Sequence, residues 1–377
     1  MQDVFITRAS RFLPNHPVPN EDMDAYVGLI NGTPSKGKAL TLRNNGIKSR
    51  YYSVDKSGRS THSNAVMTAK AIEGLTNPDF KAEQIEVLAC GTTTPDNILP
   101  SHASMVHGEL KCGPIELISP AGSCCAGMQA LKFGYLSVRS GNSQNAVCTG
   151  SEKASSWIRS EQFEKEAEKL AELEKQPLIS FEKDFLRWML SDGAGALLLE
   201  NKPRGAVSLK IEWLDIRSYA NELEACMYAG CDKNEDGSTK GWKEFTPDEW
   251  LDRSIFALKQ DVKLLGKNIV QTGTAFLNKI IKERNFDVST VDFFLPHLSS
   301  EFFRDKIAQE ILKYNINIPQ EKWFTNLTSL GNIGSGSIYI MIEELMNSGK
   351  LKKGHKVLLM VPESARFTYA YCLLTAV

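Results

Sequence analysis

The sequence predicts an α/β protein in which helices pack on β-sheets. Short apolar runs of strand length alternate with longer amphipathic stretches of helix length, and this alternation occurs twice along the chain. Of the 377 residues, 42% are hydrophobic and 24% are charged. This balance is typical of a globular protein and excludes a disordered chain, a collagen-like repeat and a coiled coil. The length is sufficient to bury a large core, as one elaborate domain or as two halves.

The first half of the chain alternates strands and helices. Met1–Ile6 predicts a first strand rather than a secretory leader, because no basic segment precedes an apolar one. Further elements are predicted in the order strand, helix, strand, helix, strand, at Ile85–Cys90, Pro100–Leu110, Ile115–Ser119, Ala126–Ser140 and Asn145–Thr149.

The second half repeats this order at Val291–Leu295, Glu301–Lys313, Trp323–Thr325, Ser335–Met346 and Lys356–Val361. The last strand of each half is followed by a serine and an acid, Ser151-Glu152 in the first and Glu363-Ser364 in the second. We therefore predict two related halves, residues 1–205 and 206–377. A segment at about 155–185, rich in Glu and Lys at i,i+4 spacing, predicts a solvated helix inserted into the first half.

Charge and cysteine usage exclude several classes of function. The net charge of −1 gives no electrostatic reason to expect nucleic acid or an anionic membrane as a partner. No run approaches the roughly 18 apolar residues of a membrane helix, so a cytoplasmic location is expected. The eight cysteines lack C-x-x-C spacing, which argues against zinc. The polar stretch 230–245 predicts a mobile loop, and Lys243 stands where a calcium loop needs glutamate. No metal or redox cofactor is expected.

The segment Ala121–Gly127 predicts a nucleophile. It follows a strand, opens an apolar helix, and places Cys125 among small residues at the turn. A helix N-terminus has free N–H groups and partial positive charge that stabilise a thiolate, and small neighbours let a substrate approach. Cys125 is therefore the candidate nucleophile, with Cys124 expected to be its buried neighbour.

Two further residues stand at element boundaries where catalytic groups are common. His297 ends an apolar strand, directly after Pro296. Asn332 lies among three glycines before an apolar helix, and an asparagine amide can donate a hydrogen bond to a carbonyl oxygen on which charge develops.

Cys125, His297 and Asn332, in this order and context, resemble the catalytic residues of the thiolase-like condensing enzymes. The closest resemblance is to the β-ketoacyl-acyl-carrier-protein synthase III group, and it extends over nearly the whole chain. The segments that match the group's motifs are Asn45–Arg50, Pro100-Ser101, Cys125–Gly127, Ser191–Ala196, Pro296-His297 and Gly331-Asn332. The resemblance implies a thiolase fold, a duplicated five-layered αβαβα sandwich with the active site between the halves, and a homodimer.

The resemblance also implies roles for individual residues. Cys125 would accept an acyl group from a thioester, and its backbone N–H, with another near Ala365, would form the oxyanion hole. His297 and Asn332 would hold the second thioester and stabilise its enolate. The thioesters would be carried by acyl carrier protein or coenzyme A. An acidic carrier protein needs a basic landing patch, for which Arg304 and Lys306 are candidates.

The chain departs from the group's pattern at several positions. Leu40 and Asn44 stand where the group often has a tryptophan and an arginine that clasp the adenine of coenzyme A. Its triple glycine is replaced by Ser364–Arg366, which leaves the role of Arg366 open. These changes argue against the enzyme that starts fatty acid synthesis from acetyl-CoA. They favour secondary-metabolic relatives such as the ketosynthases of dialkylresorcinol and flexirubin pathways, which join a β-ketoacyl and an unsaturated acyl thioester to a cyclohexanedione.

Other functions on the same fold stay open. Chain initiation in fatty acid synthesis, ester formation by an acyltransferase and a catalytically inactive partner subunit are the alternatives, the last being the weakest because all three catalytic residue types are present. A degradative thiolase is rejected because its second cysteine would have to be Cys372, which lies in a predicted strand.

Overall fold

The computed structural model describes residues 1–172 and 181–377. Its strands are β1 (Phe5–Phe12), β2 (Val18–Pro19), β3 (Ser49–Arg50), β4 (Val87–Thr92), β5 (Glu116–Ile118), β6 (Asn145–Glu152), β7 (Gly193–Glu200), β8 (Leu209–Ser218), β9 (Met227–Tyr228), β10 (Cys231–Lys233), β11 (Thr239–Gly241), β12 (Lys259–Gln260), β13 (Val291–Pro296), β14 (Lys356–Glu363) and β15 (Thr368–Ala376). Its α-helices are α1 (Met23–Val27), α2 (Lys38–Asn45), α3 (Asn64–Glu73), α4 (His102–Leu110), α5 (Cys125–Ser140), α6 (Glu164–Glu172), α7 (Phe181–Asp184), α8 (Pro247–Asp252), α9 (Val262–Arg284), α10 (Arg304–Lys313), α11 (Leu327–Leu330) and α12 (Ser337–Asn347).

The main sheet repeats one strand order on either side of its middle. Its nine strands are arranged β13-β14-β15-β8-β1-β7-β6-β4-β5. Outward from the middle, β1, β7 and β6 are antiparallel and β4 is parallel to β6; in the same way β8, β15 and β14 are antiparallel and β13 is parallel to β14. The two sets meet where Phe5 and Ile6 pair with Lys210 and Leu209. The predicted boundary at residue 205 lies in the connection between β7 and β8.

Two helices lie between the halves of the sheet. Helix α5 packs on β4 and β6 of the first half and also contacts β14 and β15 of the second. Helix α12 belongs to the second half but packs on β1 and β7 of the first, and it also reaches β13. Helices α3 and α9 pack on the first and second set of strands, respectively. The layers therefore alternate helix, sheet, helix, sheet, helix, which is the arrangement expected from the sequence.

Glycines allow these central layers to approach each other closely. A Cβ atom at Gly150 of β6 would lie 2.1 Å from the carbonyl oxygen of Ser335, and a Cβ at Gly127 of α5 would lie 2.5 Å from it. Both distances are shorter than any side chain permits, so only glycine fits at either position. The turn before α12 consequently rests directly on α5 and β6.

Two local expectations are wrong. Trp323–Thr325 forms no strand, because only Trp323 makes a single parallel bridge, to Phe294. The stretch 230–245, predicted as a mobile loop, contains an antiparallel hairpin in which β10 pairs with β11. The predicted inserted helix is present as α6, with Lys165, Glu168 and Lys169 exposed. Part of that prediction, residues 173–180, lies outside the described residues.

Candidate active site

The candidate nucleophile lies at the first turn of α5. Cys125 is the first helical residue, and its side chain is fully buried. Its Sγ atom donates hydrogen bonds to the carbonyl oxygens of Val361, at 3.3 Å, and Thr368, at 3.6 Å. The thiol is therefore directed toward the ends of β14 and β15 in the second half. The turn can sit this deep because Gly91 of β4 has no Cβ, which would otherwise lie 2.3 Å from the backbone of Ala126.

A carboxyl group accepts a hydrogen bond from the backbone N–H of the candidate nucleophile. Glu363, the last residue of β14, accepts hydrogen bonds through Oε2 from the N–H groups of Ser123 and Cys125, each at 3.3 Å. Burial raises the pKa of Glu363 above its usual value, although these hydrogen bonds oppose the shift. The side chain of Thr368 also hydrogen-bonds to this carboxyl group. Glu363 was not predicted from the sequence to be a site residue, although the acid that follows the last apolar run of each half is a signal that points to it.

The electrostatic surroundings favour a protonated thiol at rest. Burial and, after it, the Glu363 carboxyl group raise the pKa of Cys125 well above its usual value. The same two causes raise the pKa of Cys124 to about 12. The N-terminus of α5 favours a thiolate, but in this resting arrangement burial and the neighbouring carboxyl group oppose ionisation of the thiol.

His297 follows the last residue of β13, as the sequence predicted. Its N–H donates to the carbonyl oxygen of Met360, at 2.8 Å, which fixes the backbone of the strand end. The side chain is 3% exposed, and its Nε2 atom has no hydrogen-bond partner among the described residues. Burial lowers the pKa of His297 to about 4. The imidazole is therefore neutral at pH 7, with one ring nitrogen available to a ligand.

Asn332 is held in a turn that glycine makes possible. Its N–H donates to Met189 O at 3.1 Å, and its carbonyl oxygen accepts from Ser191 N at 2.9 Å. The side-chain Oδ1 accepts from Gly334 N at 2.9 Å. Gly331 has a φ of +74°, and a Cβ there would lie 2.9 Å from the Cβ of Ser191. The turn is thus fixed in position with the amide nitrogen left over for another acceptor.

A large apolar cavity joins these groups. Ser123, Cys124, His297 and Asn332 line one end of it, and its empty volume is about 1080 Å³ with the open mouth included. Apolar side chains from the inserted segment and from α9 and α10 build much of the remaining wall, among them Trp157, Leu186, Leu265, Ile269 and Ile307. Its shape and lining are suited to an acyl chain with a reactive polar end.

The two adjacent cysteines face different surroundings. Both are buried, but Cys124 is 8% exposed and lines the cavity, whereas Cys125 is 0% exposed and faces β14 and β15. Cys124 is thus a buried neighbour, as expected, but Cys125 is buried more deeply and points to a different side. The reason is the direction of the first helical turn, which points successive side chains to different sides.

Ala365 and Arg366, two further residues singled out in the sequence, lie in the loop between β14 and β15. The carbonyl oxygen of Ala365 accepts hydrogen bonds from Cys226 N at 2.8 Å and from Met227 N at 3.2 Å, which fixes the loop after β14. Arg366 is exposed and donates to the carbonyl oxygen of Leu223 at 3.0 Å, so it does not line the cavity.

The two candidate carrier-protein contacts are not equally available. The Arg304 guanidinium is engaged by the Glu301 carboxyl group and by the Thr325 hydroxyl, at 3.1 and 2.7 Å. The Lys306 ammonium lies 3.8 Å from the ring centroid of Phe302, whose side chain is 48% exposed.

Within residues 1–172 and 181–377, no group of three or more His, Cys, Asp and Glu side chains is arranged to hold a metal ion. No helix in the same part of the chain is long and apolar enough to span a bilayer.

Comparison with known proteins agrees with this geometry. Residues 281–374 match the family described as 3-oxoacyl-[acyl-carrier-protein] synthase III C terminal. The chain is 26% identical over 317 residues to β-ketoacyl-[acyl-carrier-protein] synthase III of Clostridium perfringens, with 84% of each chain covered.

Two solved structures have the same fold. One is OleA of Xanthomonas campestris, in a structure with bound lauric acid and lauroyl-CoA; it has a TM-score of 0.74 and 17% identity, with 99% of each chain covered. The other is described as a tetronic acid condensing enzyme and has a TM-score of 0.72 and 18% identity, also over 99% of each chain. The chain therefore has the fold of these condensing enzymes and is similar in sequence to β-ketoacyl-acyl-carrier-protein synthase III over most of its length.

Proposed function

We propose that this enzyme forms carbon–carbon bonds by Claisen-type condensation of acyl thioesters, with the first acyl group carried on Cys125. The observation that supports this most directly is the cavity at which Ser123 and Cys124, directly before Cys125 in the first half, meet His297 and Asn332 of the second. A thiol, a neutral imidazole and an amide are the groups that acyl transfer and enolate stabilisation require.

In the first step, Cys125 Sγ attacks the thioester carbonyl carbon, and the bond from that carbon to the carrier sulfur breaks. Because the thiol at rest donates to Val361 and Thr368, its side chain has to rotate away from β14 and β15 to reach the cavity. The Cys125 N–H, with the N–H of Ala365, would then stabilise the oxyanion. One such donor contributes about 3–4 kcal/mol to transition-state stabilisation.

In the second step, His297 and Asn332 bind the carbonyl oxygen of the second thioester. Both can donate hydrogen bonds to it, since the imidazole is neutral at pH 7 and the Asn332 oxygen is already used by Gly334. Charge that develops on that oxygen is thereby stabilised while a carbanion forms next to it, by decarboxylation or by deprotonation. The carbanion attacks the carbonyl carbon of the acyl-cysteine and forms the new carbon–carbon bond, while the bond from that carbon to Sγ breaks and Cys125 leaves as a thiolate.

We further propose a substrate subtype. The many apolar side chains that line the cavity favour acyl groups of medium length or longer. A β-ketoacyl thioester joined to an α,β-unsaturated acyl thioester would then close to a cyclohexanedione, as in dialkylresorcinol-type pathways. The competing function is initiation of fatty acid synthesis with a short acyl group, and the name of the Clostridium perfringens relative favours it. Ester formation is the third possibility, in which an alcohol rather than a carbanion attacks the acyl-cysteine.

Substrate delivery is part of the same proposal. We propose that acyl carrier protein, coenzyme A or both present the thioesters, in the cytoplasm, and that an acidic carrier docks at Lys306. Arg304 is the weaker of the two candidate contacts, because Glu301 already pairs with it. The proposed enzyme acts as a homodimer.

Intact-protein mass spectrometry tests the nucleophile. Wild type, Cys125→Ala and the matched Cys124→Ala variant would be incubated with malonyl, β-ketoacyl and enoyl thioesters, each on carrier protein and on coenzyme A. We expect an acyl adduct on wild type and on Cys124→Ala, and a loss of at least 100-fold in adduct formation for Cys125→Ala. An adduct that persists in Cys125→Ala and disappears in Cys124→Ala would show that the cavity-lining cysteine is the nucleophile instead.

The same experiment separates the substrate classes. Adducts of medium-chain β-ketoacyl or enoyl groups, followed by a cyclohexanedione product, are the expected result. Adducts of short saturated acyl groups alone, with turnover on malonyl carrier protein, would assign the enzyme to chain initiation. An ester product would assign it to the acyltransferases.

A further inference from the structure

Glu363 is a buried carboxyl group with no cationic partner among the described residues. Its side chain is 6% exposed, and it forms no ion pair with a lysine, arginine or histidine in residues 1–172 and 181–377. Its hydrogen bonds come from the N–H groups of Ser123 and Cys125 and from the Thr368 side chain. A buried carboxyl group without a cation is costly, and such groups are concentrated at functional sites.

The Cys125 N–H has two competing acceptors. In the resting enzyme it donates to Glu363 Oε2 at 3.3 Å. In the acyl-transfer step proposed above, the same N–H has to donate to the thioester oxygen. We propose that Glu363 is a positioning residue for acyl transfer, which holds the N–H groups of Ser123 and Cys125 at rest and has to give up the Cys125 N–H to the substrate. This inference rests on the proposed function, because it takes Cys125 as the nucleophile.

Glu363 also influences the charge state of the thiol. Among the described residues, Cys125 interacts electrostatically with Glu363, Cys124, Tyr369 and Tyr371, and none of these four side chains is cationic. An ionised Glu363 therefore opposes ionisation of Cys125 with no cation to offset it. Displacing the carboxyl group from the turn both frees the N–H and weakens this repulsion.

The acyl-transfer step balances without consuming Glu363. The bond from Cys125 Sγ to the carbonyl carbon forms, and the bond from that carbon to the carrier sulfur breaks. The departing thiolate takes up the proton that Cys125 loses. Glu363 changes its hydrogen bonds during this step but forms no covalent bond.

Two variants separate the charge of Glu363 from its position. Glu363→Gln removes the charge and keeps an oxygen that can accept the N–H. Alkylation of Cys125 by iodoacetamide is measured across a pH series by peptide mass mapping. We expect the pH midpoint of this alkylation to move down by about one pH unit, so that alkylation at pH 7 becomes about tenfold faster. Glu363→Ala removes the acceptor as well. We expect an acyl-CoA to acylate this variant about tenfold faster than wild type, at a pH high enough that the rate no longer depends on pH, because the Cys125 N–H is then free to bind the thioester oxygen.

Glu200→Gln is the matched control. Glu200 also ends a strand, β7, and is also 6% exposed, but it pairs with Arg204 and lies beside Asn145, at the opposite end of β6 from the active site. Its alkylation profile should coincide with that of wild type. If the Glu363→Gln profile coincides with wild type while the protein is folded, Glu363 has only a structural role and the inference is wrong. If Glu363→Gln does not fold, Glu363→Ala decides: faster acylation than wild type supports the inference, and an unchanged acylation rate contradicts it.

Failure of the proposed function has a different signature. Cys125→Ala that still forms the acyl adduct would overturn the nucleophile assignment, and the inference about Glu363 with it. Normal loss of the adduct in Cys125→Ala, together with unchanged rates and pH midpoints in both Glu363 variants, would overturn the inference alone.

Discussion

At the scale of single residues, His297 links the active site to the stability of the protein. Its folded-state pKa of about 4 lies below the usual value of 6.5, because burial disfavours the charged ring. The unfolded chain therefore binds a proton between these two pH values that the folded chain excludes. The free energy of unfolding consequently falls as the pH is lowered through this window, by about 2 kcal/mol at pH 5 for this group.

Replacing His297 with glutamine should remove that share of the pH dependence. We expect urea unfolding of His297→Gln at pH 7 and pH 5 to show a difference in free energy about 2 kcal/mol smaller than that of wild type. Some pH dependence should remain, because burial also lowers the pKa of His102 to about 4. An unchanged difference between the two pH values would mean that His297 takes up a proton in the folded protein near its usual pKa.

Sequence patterns predicted which residue types would meet at the site, but not the direction of each side chain. His297 and Asn332 both line the cavity as expected, because a strand end and a glycine-rich turn determine their positions. Cys124 and Cys125 are adjacent and chemically identical, so only the orientation of the first turn of α5 distinguishes them. Glu363 was missed because its effect on Cys125 arises from a contact between residues 238 positions apart.

At the scale of elements, close contact between the start of α12 and β6 determines where Asn332 lies. A methyl group at Gly150 would be 2.1 Å from the Ser335 carbonyl oxygen, so Gly150→Ala has to displace this turn. We expect the free energy of unfolding to fall by about 1–3 kcal/mol. We also expect condensation to decrease more than acylation of Cys125, because the displaced turn carries Asn332. Denaturant unfolding and mass spectrometry of the adduct and the product measure the two effects.

Gly108→Ala is the control for a simple change of glycine to alanine. Gly108 lies inside α4, and a Cβ there would meet nothing within 4 Å. Alanine should therefore stabilise this helix by about 0.5–1 kcal/mol and leave both reaction steps unchanged. Equal ratios of condensation to acylation in Gly150→Ala and wild type would contradict the role assigned to this contact.

The elements that were predicted well are those that bury a continuous apolar run. Strand β14 and helix α5 lie where their apolar patterns predicted, with bounds shifted by one or two residues. Trp323–Thr325 was predicted wrongly, because three residues of strand-like composition do not by themselves secure a partner strand. The hairpin of β10 and β11 was missed because its residues are polar and its pairing depends on neighbours rather than on an apolar face.

At the scale of the whole molecule, duplication explains why the candidate catalytic groups come from both halves. Each half contributes a residue at the start of its central helix: Cys125 is the first residue of α5, and Asn332 lies in the turn before α12. The repeated strand order places these helix starts at related positions, and α5 and α12 bring them together between the two sets of strands. The weak internal repeat in the sequence was sufficient to predict this arrangement, whereas the shape of the cavity depends on the inserted segment and could not be predicted.

The proposed homodimer can be tested at an exposed apolar loop. Ile98 and Leu99, between β4 and α4, are 76% and 84% exposed, and β5 beside them is the last strand of the sheet. Exposed apolar pairs and open sheet edges are typical of interfaces.

We expect light scattering at micromolar concentration to give twice the chain mass of 41.9 kDa. The double variant Ile98→Glu/Leu99→Glu should shift the mass toward one chain, since each partner would have to bury two charges. Leu251→Glu, at a 60% exposed leucine in α8, is the control that should stay dimeric. A wild-type mass of one chain would contradict the dimer itself, and a dimeric double variant would place the interface elsewhere.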